Sequence, residues 1–175
     1  MEDRLDAALD RMATHWPDAS TDQAAATIAL QRLARLLGRV AAEALAPLDL
    51  TPAEFELLAA LRAHAPPHRL TPTELYDAML ISSGGLTKLL KGLEGRGLVA
   101  RPVSDADRRS RPVALSPEGR ALAERAMAIV QAAEAPLHRA MEGAWPGGAD
   151  GMARGLAALA DAAMRRPAGG GEEPP

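Results

Sequence analysis

Between residues 23 and 46 the apolar positions Leu30, Leu33, Leu37, Val40 and Ala44 recur at three- and four-residue spacing. That is the stripe of a long amphipathic helix, and Pro47 ends it. The rhythm returns from Pro52 to about His64 with Phe55, Leu58 and Leu61, breaks at Ala65-Pro66-Pro67, and resumes in a short helix from Pro72 to about Met79. After a turn at Leu80-Ile81-Ser82, Leu86, Leu89, Leu90 and Leu93 define the inner side of a helix from about Ser83 to Arg96. Thr87, Lys88, Lys91 and Glu94 occupy its other side, and Gly97 stands where a left-handed C-cap would close it.

The period then changes. Residues 98–103 and 111–115 are short and β-branched, and they flank the polar run Ser104-Asp105-Ala106-Asp107-Arg108-Arg109-Ser110, which predicts a β-hairpin with a charged tip. Pro102 and Pro112 confine it to edge-like pairing. From Pro117 the pattern is helical again, with Leu122, Ile129 and Ala133 inward and Pro136 expected to kink or split the helix. Trp145-Pro146-Gly147-Gly148 reads as a loop, a last helix runs from about Asp150 to Arg165, and residues 167–175 offer no apolar anchor and are expected to be disordered.

Three helix starts are marked chemically. Thr51-Pro52-Ala53-Glu54 and Thr71-Pro72-Thr73-Glu74 combine a hydroxyl N-cap, a proline in the first turn and a glutamate that can reach back to the cap amide; Ser116-Pro117-Glu118 repeats the first two features.

Composition sharpens the class. Hydrophobic residues make up 47% of the 175 and aromatic residues only 2%, so the core is built from Leu, Ala, Val, Ile and Met, which favours helices. The expected fold is mainly α: two short helices joined by a tight turn, then a small β-hairpin, flanked by N- and C-terminal helices. With no cysteine, disulfides and thiolate sites are excluded. The first residues read neither as a signal peptide nor as a membrane span, so a cytoplasmic protein without membrane partners is expected.

The net charge is −3, yet residues 82–111 carry seven Lys/Arg against three Asp/Glu. A local basic stretch in an acidic chain points to one binding face. A B-DNA major groove admits one α-helix, whose N-terminal turn can meet base edges and phosphates. Ser82, Ser83 and Gly84 would occupy that turn, Thr87, Lys88 and Lys91 would follow, and Arg108, Arg109 and Arg111 would reach the backbone or a minor groove from the hairpin. Taken singly, the lysines are also what a solvated helix face shows, the arginine-rich tip also serves as an edge guard, and Gly84-Gly85 also ends a turn. Only their order along the chain favours nucleic acid.

No enzyme is expected. His64 and His68 straddle Pro66-Pro67 and cannot form a helical metal pair, and no phosphate loop, nucleophile elbow or dinucleotide fingerprint occurs. Neither cofactor nor metal is called for.

The wing run 104–110 followed by Pro112-Val113-Ala114-Leu115-Ser116-Pro117-Glu118-Gly119, with Thr71-Pro72-Thr73-Glu74-Leu75 and Ser82-Ser83-Gly84-Gly85-Leu86-Thr87 upstream, resembles the winged helix-turn-helix of MarR-type regulators. The resemblance makes Asp107 and Arg109 the Asp-x-Arg element of the wing. It implies a homodimeric transcription regulator, expected to be a repressor, that reads a palindromic operator and is released by a small aromatic or purine-like effector. It divides the chain into N-terminal dimerisation helices (1–47), a DNA-binding domain (48–116), C-terminal dimerisation helices (117–166) and a tail (167–175). The large Leu/Ala/Met faces of the flanking helices call for a symmetric partner independently. A helix before residue 23 containing Trp16 resembles the urate-responsive branch, which implies a pocket of Trp16, Glu56 and Arg101. Glu56 replaces that branch's usual aspartate, and Leu89 stands in the place of its first arginine. The alternative from another class is a winged-helix dimer whose basic face binds an acidic protein.

Overall fold

The computed structural model describes residues 5–79, 83–101 and 112–165, with the Ser83 side chain left aside. The turn at 80–82, the hairpin tip and the tail lie outside the described residues. In chain order the elements are α1 (Leu5–His15), α2 (Asp22–Leu45), α3 (Pro52–Ala63), β1 (Arg69–Leu70), α4 (Pro72–Met79), α5 (Ser83–Gly95), β2 (Val99–Ala100), β3 (Val113–Leu115), α6 (Pro117–Ala144) and α7 (Gly148–Met164), with 3-10 turns at Pro17–Ala19 and Ala46–Leu48. None of the described helices is long and apolar enough to cross a membrane.

Chain contacts fall into two compact units, Met1–Ala133 and Glu134–Pro175. In the first, Leu57, Leu58 and Leu61 of α3, Leu75 of α4, Leu93 of α5 and Val113 of β3 are fully buried in one cluster, which Leu45, Ala123, Ala126 and Val130 complete. In the second, α7 buries Gly148 and Met152 and leaves Leu159 and Met164 exposed.

The local signals act as their chemistry dictates. The Thr51 amide donates to Glu54 Oε2 at 2.9 Å while the Glu54 amide donates to Thr51 Oγ1 at 3.2 Å. The same reciprocal pair opens α4, at 2.7 and 3.2 Å between Thr71 and Glu74. Each box satisfies two amide donors that a helix start otherwise leaves open. At the start of α6, Ser116 Oγ accepts from the Gly119 amide at 2.9 Å.

Four expectations change. The predicted two-stranded hairpin is the larger part of a three-stranded antiparallel sheet of order β1-β3-β2. Leu70 pairs with Val113 and Val99 with Leu115, so β1 closes one edge of β3. Pro136 does not split its helix: α6 runs from Pro117 to Ala144. A proline removes one backbone donor and crowds one carbonyl, and the good helix formers around it, Ala132, Ala133 and Ala135 before and Leu137, Arg139 and Ala140 after, have the propensity to hold the helix through it. Trp16 lies outside α1, in a non-helical conformation (φ −148°, ψ 62°) ahead of Pro17, because the residue before proline is driven out of the α region. Finally, α7 starts at Gly148 rather than Asp150, with Gly147 in the left-handed region (φ +79°).

Candidate nucleic-acid interface

The interface is built on α5. Its apolar side is seated in the core through Leu86, Leu90 and Leu93, with Leu89 packed against them. Because the helix repeats every 3.6 residues, seating that side turns the opposite one outward. Gly84, Thr87, Lys88 and Lys91 are all exposed. A Cβ at Gly84 would meet nothing within 4 Å, so the chain's own packing does not require glycine there. Neither Lys88 nor Lys91 has an ion-pair partner among the described residues.

The C-terminal end of α5 is fixed tightly. Gly97 adopts φ +68°, the Leu98 amide donates to the Leu93 carbonyl at 3.0 Å, and the Gly97 amide donates to the Glu94 carbonyl at 3.0 Å. This is a Schellman cap, with the usual apolar contact supplied by buried Leu98. The Leu98 carbonyl then accepts from both the amide and the hydroxyl of Ser116, each at 3.1 Å. A Cβ on Gly119 would collide with that same carbonyl oxygen, so α6 can start this close only with glycine at 119.

Charge is redistributed relative to the simple count along the chain. Arg96 Nη1 donates to Glu54 Oε1 at 3.3 Å and its other terminal nitrogen lies 3.9 Å from Asp49, while Arg101 Nε donates to Glu94 Oε1 at 2.5 Å. Two of the seven cations counted in this stretch are therefore tied to carboxylates. Lys88 and Lys91 carry the outward charge of α5. Of the other predicted contacts, Ser83 lies in the first turn of α5, whereas Ser82, Asp107, Arg108, Arg109 and Arg111 fall outside the described residues.

Trp16 is 66% exposed beyond the end of α1, Glu56 is exposed on α3, and Arg101 is occupied by Glu94. No hydrogen bond or ion pair joins the three. A cavity of about 330 Å³ does open between α3 and α6, lined by Ala59, Ala63, Ala123 and Met127, with Arg62 and Glu124 among its walls. Glu124 accepts from Arg120 at 3.0 Å and Arg62 at 2.8 Å, and these two bonds hold its carboxyl below the usual range. This cavity is invisible in the residue pattern, since Arg62 and Glu124 stand 62 positions apart and only the packing of α3 on α6 joins them. His68 was likewise missed as a core residue. It is buried at the entry to β1, with Nδ1 2.6 Å from the His64 carbonyl and Nε2 lacking a partner among the described residues.

A profile for the MarR family matches residues 48–110, beginning in the 3-10 turn that follows α2. Over 106 residues the chain is 40% identical to the HTH-type transcriptional repressor Rv2887 of Mycobacterium tuberculosis, covering 61% of this chain and 74% of the repressor. The chain belongs to the MarR family. Within it, the HTH-type transcriptional regulator PecS of Dickeya dadantii is 31% identical over 109 residues, 62% of this chain and 66% of PecS. The fold of this MarR-family chain is also that of a mutant Escherichia coli MarR solved in complex with operator DNA, at a TM-score of 0.60 and 29% identity over 81% of this chain and 99% of that one. Rv2887 solved with p-aminosalicylic acid gives a TM-score of 0.57 and 31% identity over 78% and 97% of the two chains.

Proposed function

We propose that this MarR-family chain is a transcriptional repressor that binds a palindromic operator as a homodimer, with α5 as the recognition helix. The observation that carries the reading is the two-sidedness of α5: Leu86, Leu90 and Leu93 are buried while Gly84, Thr87, Lys88 and Lys91 face outward. A helix held this way enters a major groove N-terminus first, with Ser82, Ser83 and Gly84 near base edges and the lysines on phosphate. Arg108, Arg109 and Arg111 of the wing then contact the flanking backbone or minor groove, with Asp107 at the same DNA-facing tip as the acidic member of the Asp-x-Arg element. The operator-bound relative supports this class of target.

Residues 48–116 form the DNA-binding domain in this reading, and residues 1–47 and 117–166 form the dimer contact. Support comes from exposed Leu30 and Leu36 on α2 and from Leu159 and Met164 on α7. Paired recognition helices then read two half-sites about one helical turn apart. The effector is a small aromatic acid or purine-like anion. Its site is either the α3–α6 cavity or the trio Trp16, Glu56 and Arg101 in the manner of the urate-responsive branch, and the p-aminosalicylate complex of Rv2887 supports the aromatic class.

The test is an electrophoretic mobility shift with DNA from upstream of the chain's own gene against a shuffled duplex. Lys88→Ala and Arg109→Ala are each expected to weaken selective binding about tenfold or more and to lower the salt slope by roughly one per lost phosphate contact. Equal affinity for the shuffled duplex, or no loss in either variant, overturns the reading.

A further inference from the structure

Lysine and arginine are not interspersed in this chain. Of its 20 Lys and Arg residues only two are lysines, Lys88 and Lys91, and both lie on α5. Every cationic side chain elsewhere in the sequence is an arginine, and α5 carries no arginine. Phosphate contact alone does not call for that division, because a planar guanidinium meets phosphate oxygens in pairs, which an ammonium cannot do. What an ammonium has and a guanidinium lacks is a proton it can give up to become a nucleophilic amine.

The surroundings leave both amines open. Lys88 and Lys91 are exposed and stand three residues apart, so they are neighbours on one face of the helix. Gly84, Gly92 and Gly95, exposed as well, fall four residues from one lysine or the other and put no side chain beside them. The nearest carboxylates in the chain are already held, Glu94 by Arg101 and Glu54 by Arg96. The core contacts of α5 lie on its other side, through Leu86, Leu90 and Leu93, so chemistry at the amines leaves the seating of the helix intact.

We infer that Lys88 and Lys91 form a modification site, acylated by an acyl thioester, and that the acylated chain releases DNA. The release rests on the reading of α5 as the recognition helix; the modification itself does not. An ε-amine that has lost its proton to water attacks the thioester carbonyl carbon. A C–N amide bond forms, the C–S bond breaks with its electron pair on sulfur, and the thiolate takes up a proton and leaves as a thiol. Nothing is oxidised or reduced. Each amide removes one positive charge and with it one phosphate contact. Bound DNA covers the same face of α5, so acylation and operator binding compete for the two amines.

Two readouts test the inference, and only the second needs DNA. In the first, the full chain is recovered from its own cells grown on limiting and on excess carbon, cut after arginine, and the Leu70–Arg96 fragment, which holds both lysines, is mapped by mass spectrometry. An acyl group on Lys88 or Lys91 is expected in at least one culture; free lysines in both overturn the inference. In the second, the full chain is incubated with acetyl-CoA until the same fragment is acetylated, and each protein is compared with itself before treatment in the mobility shift. The parent is expected to lose about tenfold or more of its operator affinity and to lower its salt slope by roughly two, one per lost phosphate contact. The Lys88→Arg/Lys91→Arg variant, whatever its starting affinity, is expected not to change on treatment. Lysines that stay free in acetyl-CoA, undiminished binding by the acetylated parent, or an equal loss in the treated variant each overturn the inference. If the untreated parent shows no preference for operator over shuffled DNA, the recognition-helix reading falls instead, and the fragment masses alone decide whether the lysines are a modification site.

Discussion

Between Leu45 and Val130 most of the described leucines are buried, whereas α1 buries no residue at all and α2 buries only Leu45. The two regions draw on the same apolar residue types at the same helical spacing. They differ in what lies opposite the stripe. In the winged core, α3, α4, α5 and the sheet cover one another, and side chains such as Leu58 and Leu93 lose all contact with water. On α1, α2 and α7 the described residues leave most of the stripe uncovered, and Leu159 remains 60% exposed. An amphipathic pattern thus states that a face is to be covered without stating by what.

The largest test of that contrast pairs two truncations. Leu58→Ala is expected to lower the unfolding free energy by about 2–5 kcal/mol through lost transfer and a cavity, measured by urea denaturation. Leu159→Ala is expected to change it by less than about 0.5 kcal/mol at low protein concentration, while raising the dissociation constant of the proposed dimer in sedimentation equilibrium. Comparable losses of folding stability in the two would erase the distinction between the regions.

Next in size, Gly119→Ala should cost about 1–3 kcal/mol, because the added methyl must push α6 away from the Leu98 carbonyl. Thermal unfolding reads it, and a neutral result would mean that the start of α6 is free to shift. Thr51→Ala should cost about 1 kcal/mol by opening the capping box of α3. Thr51→Ser, which keeps the hydroxyl, should cost much less.

The smallest effect is acid dependence at the second box. Glu74 is held below its ordinary 4.5 first by the Thr71 amide and then by the Thr71 hydroxyl. A carboxyl lowered in the folded state contributes stability that is present above the unfolded value near 4.5 and lost as pH falls through the lower folded value. Melting curves of the parent and Glu74→Gln should therefore differ at pH 6–7 and converge in acid. A constant gap across that range would show that the bond is made equally well by the protonated group.

The same contrast explains what could be read from the sequence. The starts of α3, α4 and α6 were legible because their signal is local: a hydroxyl, a proline and, twice, a glutamate within four residues. The two faces of α5 were legible because Leu86, Leu90 and Leu93 repeat at helical spacing and Gly97 marks the end. Strand β1 was not, since two residues after Pro66-Pro67-His68 are too few to show a period, and only pairing with Val113 and Ala114 makes them a strand. Trp16 was placed in a helix although Pro17 argues against it. The neutralisation of Arg96 by Glu54 and of Arg101 by Glu94 depends on tertiary packing in the first case and on a seven-residue return of the chain in the second. A running count of charge overstated the cationic surface for that reason.

The peptide at Leu98 joins two helices as a rivet joins two bars. Its amide closes α5, its carbonyl anchors Ser116 ahead of α6, and Gly119 sits against it with no room for slack. A tilt of α6 about its first turn therefore cannot be absorbed locally; it is handed on to the last turn of α5 as a lever's motion is handed through its fulcrum.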